Sequence, residues 1–355
     1  SSTVGEYVKT TSTINSAPRF DHDPTTGESL GLLVEESRTN LLTYSEDLSQ
    51  LLITRATVTV NTLTAPDGTL TADKLEKTLS SASYTYTSQS FTQNTAYSFS
   101  VFAKSGSTGE IRFTDFSTGN SVSFNLATAT VENTDADWSN AKIEEFANNW
   151  YRVSAIFTPT TTGSRNVSYA FINTATIGDY AYFWGAQLEE GSFSTSYIPT
   201  EGTTVTRAAS LADLINSAIA NNIRSFYVEF RSPASGTCGV VSLNDSTANE
   251  RAAVITSGTD PKLVVVDGGT TQADIDAGTV TAGVKTRVAV RIGTNDFAIS
   301  INGGAVVTDT SGTLPTMDRL MIGRTQAGEY LNGTIARYTG WTESLADSTL
   351  QSLTQ

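Results

Sequence analysis

"YSFSVF" (residues 97–102) alternates large apolar side chains with serine, and "YRVSAIF" (151–157) does nearly the same. A period of two is the mark of a strand, whose successive side chains point to opposite faces. Ile111-Arg112-Phe113 and Phe226-Tyr227-Val228-Glu229-Phe230 repeat the pattern, with Gly, Asn, Asp and Pro between the runs. Asn302-Gly303-Gly304 lies between "FAISI" and "AVVTD" and reads as a hairpin turn. "TSGTDPKLVVV" and "VDGGTT" supply two more turns. The reading is all-β, built of half-buried antiparallel strands. A chain of 355 residues exceeds one ordinary sandwich, so two antiparallel β-sandwiches are expected.

Two segments depart from this pattern. Leu211, Leu214, Ile215, Ala218 and Ile219 recur at helical spacing between Ser210, an N-cap residue, and Asn221-Asn222, a stop. This predicts a short helix joining the two sandwiches. A second short helix is expected at the end of the chain, capped by Ser344 and docked through Leu345, Leu350 and Leu353. No heptad run or fixed-period repeat is present, so neither a coiled-coil stalk nor a solenoid is encoded.

Charge narrows the partners. Thirty-six acidic and 22 basic residues give a formal net charge of -14. Such a surface repels phosphate backbones and anionic lipid, so no nucleic acid is expected as a partner. Membrane insertion is not expected either, because no apolar stretch reaches about 18 residues. The single cysteine, Cys238, excludes an internal disulfide and a cysteine-based zinc site. The single histidine, His22, excludes multi-histidine metal sites and leaves a Ser-His-Asp triad dependent on that one residue. Ser1-Ser2-Thr3-Val4 has neither the basic nor the apolar region of a secretory leader.

His22 sits between Asp21 and Asp23, an arrangement open to three readings: a metal clamp, a catalytic base or the approach to a turn. Asp23-Pro24-Thr25-Thr26-Gly27 is turn chemistry, and a lone histidine has no role without partners, so the turn is preferred. Leu30, Leu32, Leu33 and Val34 then read as a strand laid onto a core.

The surrounding stretch, "PRFDHDPTTGESLGLLVEESRTNLL" (18–42), resembles the segment RFD-x-DP-x-TG-x-x-x-GLL-x-E-x-x-RTNLL of bacteriophage virion proteins, chiefly tail-fibre, tail-spike and head-fibre proteins. Members of that family carry other residues, such as Tyr, at the His22 position. "WGAQLEEGSFSTSYIPTEGTTVTRAAS" (184–210) resembles the end of the carbohydrate-binding-module-like jelly roll found in such proteins, and "NNWYRVSAIFTPT" is similar to one of its inner strands. "YLNGTIARYTGWTESLADSTLQSLTQ" (330–355) resembles the close of a concanavalin-A-like or laminin-G-like lectin sandwich. The resemblance implies an N-terminal arm or anchor at 1–40, a jelly roll at 41–207, a linker helix at 208–222 and a lectin-like sandwich at 223–355. It implies a virion surface protein, commonly glycan-binding, which assembles with other virion proteins and with copies of itself, threefold. It implies no fixed catalytic set.

Aromatic side chains on strands are the candidates for sugar stacking. Tyr180, Tyr182 and Trp184 alternate along one run and share a face; Ala181, Phe183 and Gly185 line the other, so core packing competes with binding. In "SYTYTSQSF" (83–91), Tyr84 and Tyr86 share a face with Ser88, and neither face is strongly apolar. Trp138 and Trp150 are expected at core and rim, and Trp341 in the second core. The carboxylates Asp274 and Asp276, and Glu132, Asp135 and Asp137, read as solvated loop charge. A structural calcium ion is their alternative, since hard cations take oxygen ligands from loops. No spacing here is diagnostic, so no cofactor and no metal ligand is assigned. No Glu-x-Asp-x-x-Glu strand of jelly-roll glucanases is present, and Gly268-Gly269 reads as a turn, not a phosphate cradle.

The expected function is that of a non-enzymatic phage virion surface protein, a fibre or spike, recognising host-surface glycan. A purely structural capsid decoration or adaptor is the alternative, and a polysaccharide depolymerase the third. Given the acidic surface, the glycan is expected to be neutral or held by hydrogen bonds.

Overall fold

The computed structural model describes residues 18–24, 26–172, 176–232 and 236–355. The fold is all-β, and every strand pairing among these residues is antiparallel. The contacts divide the chain into two compact units. The first contains Ser37–Ala208 and the turn Asp23–Glu28; the second contains Ser29–Glu36, Ala209–Gln355 and the strand that ends at His22.

Two six-stranded sheets form the first unit. One runs, in spatial order, Thr130–Thr134, Ser121–Asn125, Glu110–Asp115, Gly163–Ile172, Ser83–Phe91 and Leu52–Thr54. The other runs Trp138–Phe146, Trp150–Phe157, Tyr97–Ser105, Tyr180–Glu190, Ala72–Lys77 and Ala56–Leu63. A two-stranded ribbon, Arg38–Asn40 against Val205–Arg207, joins the two ends of the unit. Tyr97, Phe99, Val101, Val153, Ala155 and Phe157 enter the core between the sheets, as their alternation requires. The strand Tyr97–Ser105 is nevertheless not half-buried. Phe102, on its other face, lies in a second cluster with Trp150, Trp184 and Tyr197, because the chain after Glu190 folds back over that face.

The second unit pairs a seven-stranded sheet with a six-stranded one. The first runs Phe20–His22, Ser29–Val34, Gly333–Trp341, Ser225–Arg231, Thr286–Gly293, Asp296–Ile301 and Val307–Asp309. The second runs Asp213–Ile215, Arg319–Ile322, Cys238–Asn244, Arg251–Ser257, Asp260–Asp267 and Thr270–Asp276. Val228, Phe230, Val241, Val254, Val265, Val290 and Ile299 fill the space between them.

Four sequence expectations are corrected here. Residues 18–36 are not a separate arm. Ser29–Val34 hydrogen-bonds to Gly333–Trp341, with Leu32 opposite Ile335, because its apolar run fits an open sheet edge. Residues 1–17 of the expected arm lie outside the described residues. The linker helix shrinks to Ser217–Ala220, capped by the Asn216 side chain at Ile219 N, 3.2 Å. Asp213–Ile215 forms an edge strand against Arg319–Ile322, and the Asp213–Arg324 ion pair holds it there. Sheet pairing thus overrides the helical spacing of Leu211, Leu214 and Ile215. The closing helix, Asp347–Leu353, does form and does bury Leu350, with Leu345 and Leu353 beside it; Ala346, not Ser344, is at its N-cap. It covers the outer face of the seven-stranded sheet, where Trp341 also lies, so Trp341 is not between the sheets.

Asp73 is a buried polar anchor of the first unit. Its carboxylate accepts the backbone N–H of Leu48 at 2.8 Å and of Asn61 at 2.9 Å. Burial pushes this carboxyl up from 3.8 to about 6, against the pull of the two backbone donors. A raised acid favours the folded state when protonated, so this contribution is complete below about 3.8 and is lost as pH rises through about 6.

Two outcomes follow from this architecture. Val34 is fully buried against Gly323, so Val34→Ala is expected to destabilise the second unit by about 2 kcal/mol and leave the first unmoved, as read by calorimetry. The Asp73 carboxyl should titrate near 6 by NMR, and the stability advantage of the wild type over Asp73→Asn should shrink as pH rises from acid to neutral.

Candidate functional site

The segment around His22 is a hairpin. Gly27 N donates to Asp23 O and Thr26 N to Asp23 Oδ1, both at 2.8 Å, and Gly27 has φ +71°. Phe20–His22 and Ser29–Val34 are the strands of this hairpin, so His22 serves the approach to a turn.

Tyr84 and Tyr86 stand on the outer face of their sheet. Thr87 lies opposite the core residue Val167, which places the two tyrosines on the other side of the strand. There they meet Phe116, which follows the strand Glu110–Asp115. Ring centroids are 4.4 Å apart for Tyr84–Phe116, 6.0 Å for Tyr86–Phe116 and 5.8 Å for Tyr84–Tyr86. All three rings are half-buried. Leu52, 54% exposed, lies opposite Tyr86 at the sheet edge. Beside the rings, Ser88 donates to Asn166 Oδ1 at 2.5 Å, and both residues are exposed. The result is an aromatic platform with an aliphatic border on one side and exchangeable hydrogen-bonding groups on the other. Such a surface can stack on the CH face of a sugar ring and meet its hydroxyls.

Phe116 was invisible to strand-by-strand reading, because it comes from a turn two strands away. The available signal was its alternation with Thr114 and Arg112, continued one step beyond the strand.

The second candidate run is split by the structure. Tyr180 and Tyr182 are half-buried on the outer face of the other sheet, with ring centroids 5.6 Å apart. Lys74 Nζ is 5.3 Å from the Tyr180 centroid and 2.6 Å from Glu76 Oε2. Burial holds the Tyr182 hydroxyl above the usual tyrosine range. Trp184 is 1% exposed: it packs at a tilt against Tyr197, with ring centroids 4.7 Å apart, and its indole N–H donates to Thr71 Oγ1 at 3.0 Å. It is therefore a packing residue. Gly185, at φ +63°, breaks the alternation just beyond it. Trp138 is core, and Trp150 lies beside Trp184.

The carboxylate candidates are engaged by the protein itself. Asp135 Oδ2 accepts from Ser121 N at 2.8 Å, and its Oδ1 from Asn133; the Asn133 hydrogen bond is the leading cause of its lowered pKa. Glu132 accepts from Asn125 and Asp137 from Asn120, each at 2.8 Å. Asp274 and Asp276 are on the strand Thr270–Asp276 and not in a loop, because Ile275 between them enters the core. Among the described residues no group of three His, Cys, Asp or Glu side chains converges in a way that would hold a metal ion.

No protein-family model matches this chain, and no curated protein does. Several solved structures show partial likeness, among them the following three. The NanB sialidase from Streptococcus pneumoniae is 13% identical with a TM-score of 0.34, over 40% of this chain and 26% of the sialidase. The chain thus spans about a quarter of that enzyme's length. A heptameric SAP-like pentraxin from Limulus polyphemus is 15% identical with a TM-score of 0.32, over 38% of this chain and 70% of its own. Domains LG4-5 of the mouse laminin α1 chain are 10% identical with a TM-score of 0.32, over 92% of each chain. At such scores residue-to-residue correspondence is undefined, and no site is transferred from them.

Trp184→Ala is expected to destabilise the first unit by about 3–5 kcal/mol. Tyr180→Ala, on the same strand but half-exposed, should cost much less; urea unfolding of the two variants checks the contrast.

Proposed function

We propose that this chain is a non-enzymatic glycan-binding protein of a bacteriophage virion surface, and that the platform of Tyr84, Tyr86 and Phe116 is its neutral-sugar site. The observation that carries the binding reading is the convergence of three half-exposed rings, two from one strand and one from a turn two strands away, beside an exposed Ser88–Asn166 pair. Packing inside a sandwich does not require rings on its outer face. The virion assignment, the partnership with other virion proteins and the threefold assembly rest on the resemblance of residues 18–42 and 184–210 to fibre and spike proteins. The structural-adaptor reading draws on a different feature. Leu211, Leu214, Ile215 and Ile219 remain exposed around the edge strand Asp213–Ile215, with Ile215 at 69%. An apolar edge of this kind suits contact with a neighbouring protein.

Losing a stacked ring costs on the order of 1 kcal/mol beyond its area. The Tyr84→Ala/Tyr86→Ala protein should melt as the wild type does and yet bind host cells about tenfold more weakly, since about 1.4 kcal/mol is a factor of ten. No reducing ends should appear during that incubation. Full cell binding by the folded double variant would remove the platform from the mechanism and leave the adaptor reading.

A further inference from the structure

The second unit carries a local reversal of the chain's charge. On the outer face of the seven-stranded sheet, Glu229 lies between Arg287 on one neighbouring strand and Arg337 on the other. Lys285 precedes the Arg287 strand, and Arg231 ends the Glu229 strand. Four cations thus surround one carboxylate, in a protein whose acids outnumber its bases by 36 to 22. Arg291, further along the same strand, is not part of this excess, because Asp296 at 2.7 Å and Asp347 at 2.6 Å neutralise it.

Glu229 cannot satisfy the donors around it. Its Oε1 takes Lys285 Nζ at 3.1 Å, and its Oε2 takes Arg287 Nε at 3.3 Å and the Tyr227 hydroxyl at 3.0 Å. These partners hold its pKa down, against its own burial. Arg337 lies over the Tyr227 ring at 5.6 Å and donates to Thr339 Oγ1 at 3.3 Å. Arg231 reaches Gly283 O at 3.4 Å, and Arg287 reaches Gln355 O at 3.0 Å. Even with a carboxylate charge counted at Gln355, the cluster keeps an excess of positive charge. A guanidinium has five N–H groups and an ammonium three, so most of the donors at Arg337, Arg287 and Lys285 are left without a hydrogen-bond acceptor among the described residues. Arg337 is exposed and the other cations are half-exposed, so an anion can reach them.

We infer that this cluster is a second binding site, on the outer face of the C-terminal sandwich, for an acidic saccharide bearing carboxylate or sulfate groups. It is independent of the platform at Tyr84 in unit, ligand and chemistry. The choice of ligand follows from the extent of the patch. Four cations on a surface of opposite overall charge suit an anion whose charges are spaced one per sugar residue. Duplex DNA carries a charge about every 1.7 Å of its axis and would run from the patch onto acidic surface. Charge-assisted hydrogen bonds from guanidinium to a planar carboxylate or a sulfate are the contacts on offer.

The test uses the full chain with polygalacturonate, dextran sulfate, unmodified dextran and a duplex DNA oligomer, by calorimetry at low and high salt. At least one of the two anionic polysaccharides should bind, weakening with salt, and unmodified dextran should not bind through this sheet. Preference for polygalacturonate identifies a carboxylate ligand, and preference for dextran sulfate a sulfate ester. Lys285→Ala/Arg337→Ala should weaken binding about tenfold with an unchanged melting temperature. Glu229→Gln should tighten it about threefold or more, a gain that a merely structural Glu229 would not give. The Tyr84→Ala/Tyr86→Ala protein should retain this binding in full. Failure of both anionic polysaccharides to bind, DNA binding tighter than either, or indifference to the Lys285, Arg337 and Glu229 changes would overturn the assignment.

Discussion

Phe99 is the residue on which the first sandwich depends. Its ring lies 5.2 Å from Tyr169, 5.1 Å from Trp138, 5.9 Å from Phe157 and 6.0 Å from Phe113, centroid to centroid. These rings come from both sheets; Trp138 and Phe157 meet Phe99 edge to face and Tyr169 stacks on it, arrangements that aromatic quadrupoles favour. A core built from so few large side chains fixes the register of every strand that contributes one. A slip of one residue would put Phe99 outside and Ser98 or Ser100 inside. The outer faces are then free to vary, and the half-exposed aromatics are found there.

The sequence was informative wherever a residue's role is decided by its near neighbours. Asn302-Gly303, Gly258-Thr259 and Gly268-Gly269 turn the chain between paired strands, with Asn302 and all four glycines at positive φ. Phe99, Val101, Phe226 and Val228 face inward as their alternation implies. It was uninformative wherever a distant partner decides. Leu211, Leu214 and Ile215 have a helical spacing, yet the edge of Arg319–Ile322 takes their backbone. Trp184 and Tyr182 share one alternation, but only Trp184 is covered, because Tyr197 folds back onto it from beyond the strand. Of the platform, Tyr84 and Tyr86 were legible as a same-face pair. Phe116 was not, since no local rule links a turn residue to a strand two places across the sheet.

Net charge shows the same limit from the other side. A total of -14 is a sound argument about long-range encounter, which sums over the whole surface. It says little about a contact made inside one Debye length, about 8 Å at physiological ionic strength. Within that radius the register matters more: pairing Glu229 with Arg287 on one side and Arg337 on the other collects cations that lie far apart in the chain, and neither composition nor local pattern foretells it. An acidic chain can therefore present a neutral stacking surface on one sandwich and a basic one on the other.

The chain order raises a folding problem that the ribbon Arg38–Asn40 with Val205–Arg207 addresses. The second sandwich holds Ser29–Val34 in its sheet, leaves for the whole of the first unit, and returns. Glu36 N donates to Asn332 Oδ1 across 296 residues of sequence. Closing such a loop is costly, but the cost grows only as the logarithm of its length. If the first unit folds beforehand, the ribbon holds Arg38 opposite Arg207 and removes about 170 residues from the loop. That is little more than one halving, so the ribbon contributes only about 0.6–0.8 kcal/mol to stability. Its effect is on the order of events, because pairing at high sequence separation is what slows β-sheet folding. An inserted sandwich with its ends tied can fold as a unit while Ser29–Val34 waits for Gly333–Trp341, and a strand left unpaired for that long is short enough, at six residues, to be a modest aggregation hazard.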